Sequence, residues 1–572
     1  MSLKKNLKLY ALTALLTLSV GLACFGPACA KHGPGGKWVT GDFHQHTLYT
    51  DGSTTFDFVM GKNVEFGLDW WANSEHGGSR NRDGDGHFWD DPAFYAVNPI
   101  LGDVVMSSGH QVMWRWQSLR DFVFPEILET RKANPSKHIF SGLEWNVPGH
   151  EHCSTAIVGE DAAAISAFEY QFDGSDTDTS RTGEVTPFGT LSKQNGQSKT
   201  YPEKHTAAVT ACAWMQKQFK QKRVDNGWII YAHIERDGVW NAEDGGGYNV
   251  EHFRDFNNAA PDICFGFEGA PGHQANKWRG FGNAVTTTPG IADETRSKDF
   301  GGTYGGVGYY SAKVGGLWDA LLGEGRRWFN FANSDYHKHH TAGGDDFYPG
   351  EYQKTYVYAP HKNHNGNISL DEIADGLRSG NAFFVQGDLI DGLEFSAEAK
   401  GDRVPMGGEL ELKSHGKGHG KGHDQEDRVL LTIKFKSPQT NHNGDVPVVD
   451  HIDLIAGEIT GKIAPDSPDY TKATNDTAKV IDTFSRPDFT QDREGWTIIR
   501  KMVSVNKDMY FRLRGTNLAP NTPDETDAAG NPLPDYLVTA NQGIDGAAEA
   551  WKDLWFYSNP IFVYVDNTHK KR

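Results

Sequence analysis

Two short clusters of histidine and aspartate carry the residue types that bind metal ions. His44 and His46 are separated by one residue, and so are Asp335 and His337. Residues i and i+2 of an extended strand project from the same face, so each pair can hold one ion. Nitrogen and oxygen donors without a thiolate are typical of zinc, manganese or iron sites. We therefore predict a metal site built at the ends of strands.

Three further residues with metal-binding side chains stand at the ends of predicted strands. They are His76, Glu144 and His233, and each closes or follows an apolar run. A lone histidine in such a place is more often a hydrogen-bonded structural residue than a ligand. In an α/β barrel, however, the carboxyl ends of the strands meet at one face, so residues distant in sequence can surround one centre. The joint pattern therefore favours a metal cluster.

The segments that must position these residues alternate between strand and helix patterns. Strands are predicted at 38–44, 68–73, 138–145, 154–158, 227–233, 263–268, 328–334 and 354–358. Helices are predicted at 55–66, 116–133, 206–222, 314–322 and 370–379. The last helix follows Ser369, a residue type that caps helix N-termini. This alternation predicts a parallel α/β fold, either an open sheet or a barrel.

The pattern changes near residue 390. Strand-like runs follow one another with little helix signal between them, at 429–435, 448–455, 496–503, 509–514 and 560–565. A chain of 572 residues is also too long for one ordinary domain. We predict one domain over 38–390 and a β-sandwich-like domain over 391–566. Within the first, the polar stretch 160–204 and the Gly-rich stretch 270–313 are long connections of a kind that often forms lids or walls of sites, and the sequence leaves the role of 160–204 open.

The N-terminal sequence indicates the location of the protein, and the net charge limits the class of partner that it can bind. Residues 1–30 have the pattern of a secretory signal, with a basic start, an apolar run and Ala28-Cys29-Ala30. We expect a secreted or periplasmic protein, with a lipid anchor at Cys24 as the less favoured alternative. No later run is long enough to span a bilayer. A net charge of −19 argues against nucleic acid as a partner.

Taken together, these motifs resemble those of the PHP family, named for polymerase and histidinol phosphatase domains. The similarity runs through His44-x-His46 with Asp51, Glu75-His76, Glu144 with a later histidine, and Asp335-x-His337. Glu75 departs from the aspartate that is usual in the second motif. The run at 381–385 and the β-rich tail are similar to the secreted metallohydrolase branch of that family.

The resemblance implies a distorted (β/α)7 barrel that binds two or three divalent ions, of zinc, manganese or iron. It implies a first ion held by His44, His46, Glu144 and Asp335, a second held by Glu144, His152 and His233, and a third held by Asp51, His76 and His337. His150 competes with His152 for one position. The strand pattern that follows at 154–158 favours His152.

The resemblance also implies hydrolysis by a metal-activated water, with no Ser, Cys or Lys nucleophile. The first expectation is a phosphoesterase for a small phosphorylated molecule. The second is hydrolysis of a carbamate, ester or amide with the same metals, and the third is a non-catalytic surface-binding protein whose metals only stabilise the barrel. Glu268 and His273, near the end of another predicted strand, are candidates for substrate binding.

Overall fold

Strands and helices alternate through the first two thirds of the chain, as the sequence predicts. The strands of four or more residues in this part are β1 (Gly36–Asp42), β2 (Trp70–Asn73), β3 (His138–Trp145), β4 (Cys153–Val158), β5 (Asn226–Tyr231), β6 (Gly266–Ala270), β7 (Phe329–Ala332), β8 (Gln353–Pro360) and β9 (Ala382–Gln386). The helices are α1 (Phe56–Glu65), α2 (Arg115–Ser118), α3 (Phe124–Ala133), α4 (Ala163–Phe172), α5 (Tyr201–Lys220), α6 (Val250–Ala259), α7 (Tyr309–Ala312), α8 (Leu317–Gly323) and α9 (Leu370–Ser379). The mixed α/β class is confirmed.

This computed structural model describes residues 35–276, 279–280, 300, 302–361, 367–412, 427–535 and 543–565. The predicted signal segment 1–30, including Cys24, lies outside the described residues. None of the helices in these ranges has both the length and the apolar character needed to cross a membrane.

One sheet holds these strands in the order β7-β6-β5-β4-β3-β2-β1-β8-β9. β1, β2 and β3 pair in parallel, and so do β5, β6 and β7. β4 runs antiparallel to both of its neighbours, β3 and β5. Six strands therefore point the same way, and their carboxyl ends meet at one edge together with the amino end of β4.

The sheet curls until β7, at its edge, returns to β8. The Ala332 amide donates to Thr355 Oγ1 at 3.0 Å, and the same hydroxyl donates to the Ala332 carbonyl at 2.8 Å. Beyond the strand ends, the Tyr336 carbonyl accepts from the His46 amide at 2.8 Å. The bonds of Thr355 join β7 to β8, and no continuous backbone ladder runs between the two strands.

The strands after residue 390 continue the same sheet and add a second one. They are β10 (Gly392–Ala399), β11 (Asp402–Pro405), β12 (Asp427–Lys436), β13 (His451–Glu458), β14 (Lys479–Ser485), β15 (Thr497–Val505), β16 (Met509–Thr516), β17 (Trp555–Ser558) and β18 (Ile561–Tyr564), with helix α10 (Ile544–Ala550) before β17. β9 pairs with β17, and the ladder runs on through β16, β13 and β14. β10, β11, β12 and β15 form the second sheet together with the two-residue strand Thr490–Gln491, which pairs with β15.

Both of these sheets contribute to one apolar core, in which Phe395 and Ile433 pack with Leu454 and Leu513. That two-layer arrangement is what a sandwich requires. A domain boundary at residue 390 remains a prediction, because the first sheet continues without interruption from β9 into β17.

The polar stretch 160–204 contains an element that the sequence analysis missed. Helix α4 lies inside it, and nine of its ten residues are buried. This buried helix is part of the core. Within the other stretch, 270–313, residues 277–278, 281–299 and 301 lie outside the described ranges.

Candidate metal centre

The parallel strand ends bring histidines and carboxylates together from every part of the first sheet. His44 and His46 follow β1, and His76 follows β2. Glu144 is the second-last residue of β3, and His152 immediately precedes β4. Further round the ring, His233 follows β5, His273 follows β6, and Asp335 and His337 follow β7. These residues include eight of the nine predicted ligands, and the ninth, Asp51, lies 3.0 Å from His76 Nε2, so all nine lie in this one cluster.

Glu144 is the centre of the cluster. Its Oε1 lies 2.8 Å from His152 Nδ1 and 2.9 Å from His233 Nε2. Its Oε2 lies 2.8 Å from His76 Nδ1. The same carboxylate is 3.2 Å from His44 Nε2. One fully buried carboxylate thus contacts imidazoles from four different strand ends, as expected for a group that bridges two ions.

Asp335 is the second carboxylate at the centre. Its Oδ1 is 3.2 Å from both His44 Nε2 and His46 Nε2, and its Oδ2 is 2.9 Å from His273 Nε2. Asp335, His273 and His233 all have positive φ, at 43°, 55° and 31°. Non-glycine residues pay a conformational cost for such angles, and the cost is concentrated at functional sites. Here the three residues directly follow β7, β6 and β5, where the chain must turn its side chains inward.

Asp51 closes the outer end of the cluster and is 38% exposed. Its carboxylate lies 3.0 Å from His76 Nε2, 3.5 Å from His337 Nε2 and 3.6 Å from His46 Nδ1. A cleft of about 520 Å³ leads from solvent to these residues. The site is therefore open on the side of Asp51 and buried on the side of His44.

Several buried atoms of the cluster form no hydrogen bond of good geometry with the described residues, although each lies within 3.6 Å of another imidazole or carboxylate atom. They are His44 Nε2, both ring nitrogens of His46, Glu144 Oε2, His233 Nδ1 and Asp335 Oδ1. Leaving such groups unsatisfied is costly, so native interiors rarely contain them together. Four overlapping groups of three or four cluster residues each bring their ligand atoms within 4.8 Å of one another. The donor set and its unsatisfied atoms fit divalent metal ions.

The electrostatics of the cluster favour bound cations. Burial raises the pKa of Glu144, but the charges of His76 and His152 outweigh it and hold that pKa well below its usual value. Burial would lower the pKa of His76, yet Glu144 and Asp51 raise it to about 10. Burial lowers the pKa of His46 to about 3. Ionised carboxylates thus lie beside both protonated and neutral imidazoles, and divalent cations that displaced the imidazole protons would be bound by both kinds of side chain.

The comparisons with known proteins leave the family undecided. No protein-family model matches the chain, and no curated protein matches it. One solved structure covers 87% of this chain and 93% of its own length, with a TM-score of 0.29 and 11% identity. It is a two-domain protein from Bacteroides vulgatus ATCC 8482 containing a predicted PHP-like metal-dependent phosphoesterase. Similarity this low carries no argument about the function of this chain.

The structure separates His152 from His150. The His152 ring contacts Glu144 inside the cluster. The His150 ring instead points to His205 on α5, with 2.9 Å between His150 Nε2 and His205 Nδ1. The two histidines are two residues apart in a turn, and their side chains point in different directions. Only His152 therefore belongs to the cluster.

The two residues predicted to bind substrate lie in different places. His273 lines the cleft. Glu268 does not: it is buried behind His44, where its Oε2 lies 3.2 Å from His44 Nδ1 and its Oε1 accepts from Ser154 Oγ at 2.6 Å. A substrate contact for Glu268 is therefore wrong. Its geometry orients the imidazole of His44 instead, because a ligand histidine is fixed by the partner of its other nitrogen.

Three carboxylates that position the cluster were not predicted from the sequence. Glu151 lies 3.1 Å from His233 Nδ1, and Asp346 Oδ1 lies 2.6 Å from His273 Nδ1. Asp42 accepts from the amides of His44 and Ser334, and so joins the ends of β1 and β7. Asp42 precedes the first histidine motif directly and could have been found there. Asp346 and Glu151 lie in loops, where no strand pattern marks them.

Glu75 supports the loop between His46 and Asp51. Its fully buried carboxylate accepts from the hydroxyls of Thr47 and Thr50. His76, next to it, still reaches both Glu144 and Asp51. Glutamate in place of the expected aspartate therefore braces the loop without displacing the neighbouring histidine.

Proposed function

We propose that this protein is a metal-dependent hydrolase of the PHP type, with two or three divalent ions held by the nine predicted ligands. The observation that carries the proposal is the group of buried, unsatisfied imidazole and carboxylate atoms around Glu144 and Asp335. We assign the curled sheet to a distorted form of the (β/α)7 barrel. The secreted branch of the family, suggested by the run at 381–385 and the β-rich tail, belongs to the same proposal.

We propose a small phosphoester as the substrate. Five carboxylates line the cleft, and its arginine and lysine side chains are Arg236 and Lys338. Arg236 is fixed by two hydrogen bonds to Glu151, at 3.1 and 3.0 Å. Without further positive charge such a cleft repels anions, and bound divalent ions reverse that balance. A cleft with both fixed side-chain cations and metal ions suits a phosphoryl group.

Divalent ions at such a site lower the pKa of bound water and stabilise negative charge on the substrate. The chain's own contribution is to orient groups and to hold a proton. Burial would lower the pKa of His273, but Asp335 and Asp346 raise it well above its usual value. His273 lines the cleft with both ring nitrogens facing carboxylates, Nε2 towards Asp335 and Nδ1 towards Asp346, so we assign it the role of holding Asp335 in place.

Removing the metals should abolish hydrolysis. We expect protein dialysed against EDTA to lose turnover of an aryl phosphate and to regain it with Zn²⁺ or Mn²⁺. The assay panel is an aryl phosphate monoester, an aryl phosphodiester and an aryl carbamate. Turnover of the carbamate alone would replace the phosphoesterase assignment by the amide and carbamate class. Metal binding without turnover of any of the three would support a purely structural role for the ions.

Replacing Asp346 by asparagine should slow the reaction without removing the metals. Asp346 Oδ2 accepts from the amides of His337 and Lys338, at 2.6 and 2.8 Å, while Oδ1 holds His273. Losing the charge behind His273 is expected to lower kcat about 10–100-fold, as for other residues that support a site from behind.

The matched control is Asp90→Asn. Asp90 forms the same kind of pair with a histidine, His110, at 2.8 Å, but away from the cluster. It should leave kcat unchanged. Equal activity in both variants would show that Asp346 does not support catalysis.

A further inference from the structure

A second histidine cluster lies outside the nine residues used above. His150 follows β3, His205 is on α5, and His252 is on α6. Their ring centroids are 4.6 to 5.1 Å apart, and one ring nitrogen from each lies within 4.8 Å of the other two. None of the three contacts Glu144 or Asp335 through a described hydrogen bond or ion pair.

Hydrogen bonds fix where the protons of two of these rings are. His150 Nδ1 lies 3.1 Å from the Gly247 carbonyl oxygen, and His205 Nε2 lies 3.1 Å from Asp255 Oδ2. Carbonyl and carboxylate oxygens only accept, so both of these nitrogens carry hydrogen. The neutral rings therefore have their lone pairs on His150 Nε2 and His205 Nδ1.

Those two lone pairs face each other at 2.9 Å. Two acceptors at this distance repel unless a cation lies between them. Two nitrogens bound to a tetrahedral zinc ion at about 2.0–2.1 Å would be about 3.3 Å apart, which a small rotation of either ring supplies. The outer nitrogens already have the partners that metal-binding histidines normally have, a carboxylate and a backbone carbonyl.

We propose that His150 Nε2 and His205 Nδ1 bind one divalent transition-metal ion, at a site separate from the cluster around Glu144. Imidazole donors suit Zn²⁺, Cu²⁺ and Ni²⁺. Tyr248 stacks on the His150 ring at 4.8 Å and forms one wall of the site.

His252 has a different role at this site. Its Nδ1 accepts from the Asn249 amide at 2.9 Å, so the neutral ring carries its hydrogen on Nε2. His252 is therefore a donor to water or to an anion on the ion, not a ligand. The competing arrangement is a single extra proton shared between His150 and His205, and the experiment below separates the two.

The test is anomalous diffraction at the zinc edge from crystals of the full chain soaked in Zn²⁺. We expect a peak about 2.1 Å from both His150 Nε2 and His205 Nδ1, in addition to peaks around Glu144. Peaks around Glu144 with none between His150 and His205 would overturn this inference and leave the proposed function intact. The wild-type crystal decides the question even if a variant fails to fold.

The solution counterpart is His205→Gln, with His110→Ala as a histidine control at a distant surface pair. His205→Gln should lower bound Zn²⁺ by one equivalent and leave phosphoester turnover unchanged, whereas His110→Ala should change neither. Zinc content that His205→Gln does not alter would contradict the inference. Loss of turnover in His205→Gln, with His110→Ala still active, would instead contradict the separation of the two sites.

Discussion

Replacing Glu144 by glutamine is expected to abolish hydrolysis and release metal. Glutamine has the shape of glutamate but no charge, and its amide nitrogen cannot replace the oxygen that now faces His76 or the pair His152 and His233. The loss should exceed the 10–100-fold typical of residues behind a metal site, and we expect about 10³-fold or more in kcat/KM. The measurements are steady-state turnover of an aryl phosphate and metal content by elemental analysis.

The matched control for this substitution is Glu235→Gln. Glu235 is also buried, two residues beyond His233, but its carboxylate accepts from the Tyr310 amide at 2.7 Å and lies outside the cluster. Burial raises its pKa to about 7, so it is already partly neutral. We expect metal content and turnover to stay near wild type. Full activity in Glu144→Gln would refute the central position of this carboxylate.

Replacing Arg512 by leucine is expected to destabilise the fold more than most single changes. Arg512 on β16 forms two hydrogen bonds to Asp319 on α8, at 2.9 and 2.8 Å, and both side chains are fully buried. The substitution leaves the Asp319 charge buried and without its cation. Breaking such a pair costs about 3–5 kcal/mol, which urea unfolding would show as a lower free energy of unfolding.

The control for the ion pair is Lys507→Met. Lys507 pairs with Glu458 at 2.8 Å and is 61% exposed, so water screens the pair. We expect a change below about 1 kcal/mol. Similar losses in Arg512→Leu and Lys507→Met would show that the buried pair does not hold β16 to α8. A selective loss would show that the regions before and after residue 390 stabilise each other.

The positions of the site residues were predictable because local spacing and strand direction are both written in the sequence. The proximity of His44 and His46 could be predicted from the alternation of side chains along an extended chain alone. Their ring centroids lie 5.0 Å apart in the structure. The capping pattern before α9 is also local. Ser369 accepts from the Glu372 amide at 3.2 Å, and this helix begins where the sequence predicts it.

Other features depend on pairings between distant segments and could not be read from spacing. The ladder between β9 and β17 joins residues about 170 positions apart, such as Phe384 and Tyr557. No local pattern distinguishes a strand that continues one sheet from a strand that begins another. Helix α4 was missed for a different reason. It lies in a stretch rich in Ser, Thr, Gly and Asp, and that overall composition hid its short apolar run.

The choice between His150 and His152 shows the same limit on a smaller scale. Both lie in the turn that joins β3 to β4, where side-chain direction depends on the turn and not on a period. The structure sends His152 to Glu144 and His150 to His205. The two histidines thus have different neighbours, and the sequence could show only that one of the two belonged to the main cluster.

The most direct test of the central claim is the metal content of the protein purified without chelators. The account predicts about two to three equivalents of zinc, manganese or iron at the cluster around Glu144 and Asp335, lost together in Glu144→Gln. Anomalous diffraction should place these ions among the nine ligands. Fewer than one equivalent of any divalent metal, in protein that is folded and has had access to these metals, would contradict the account.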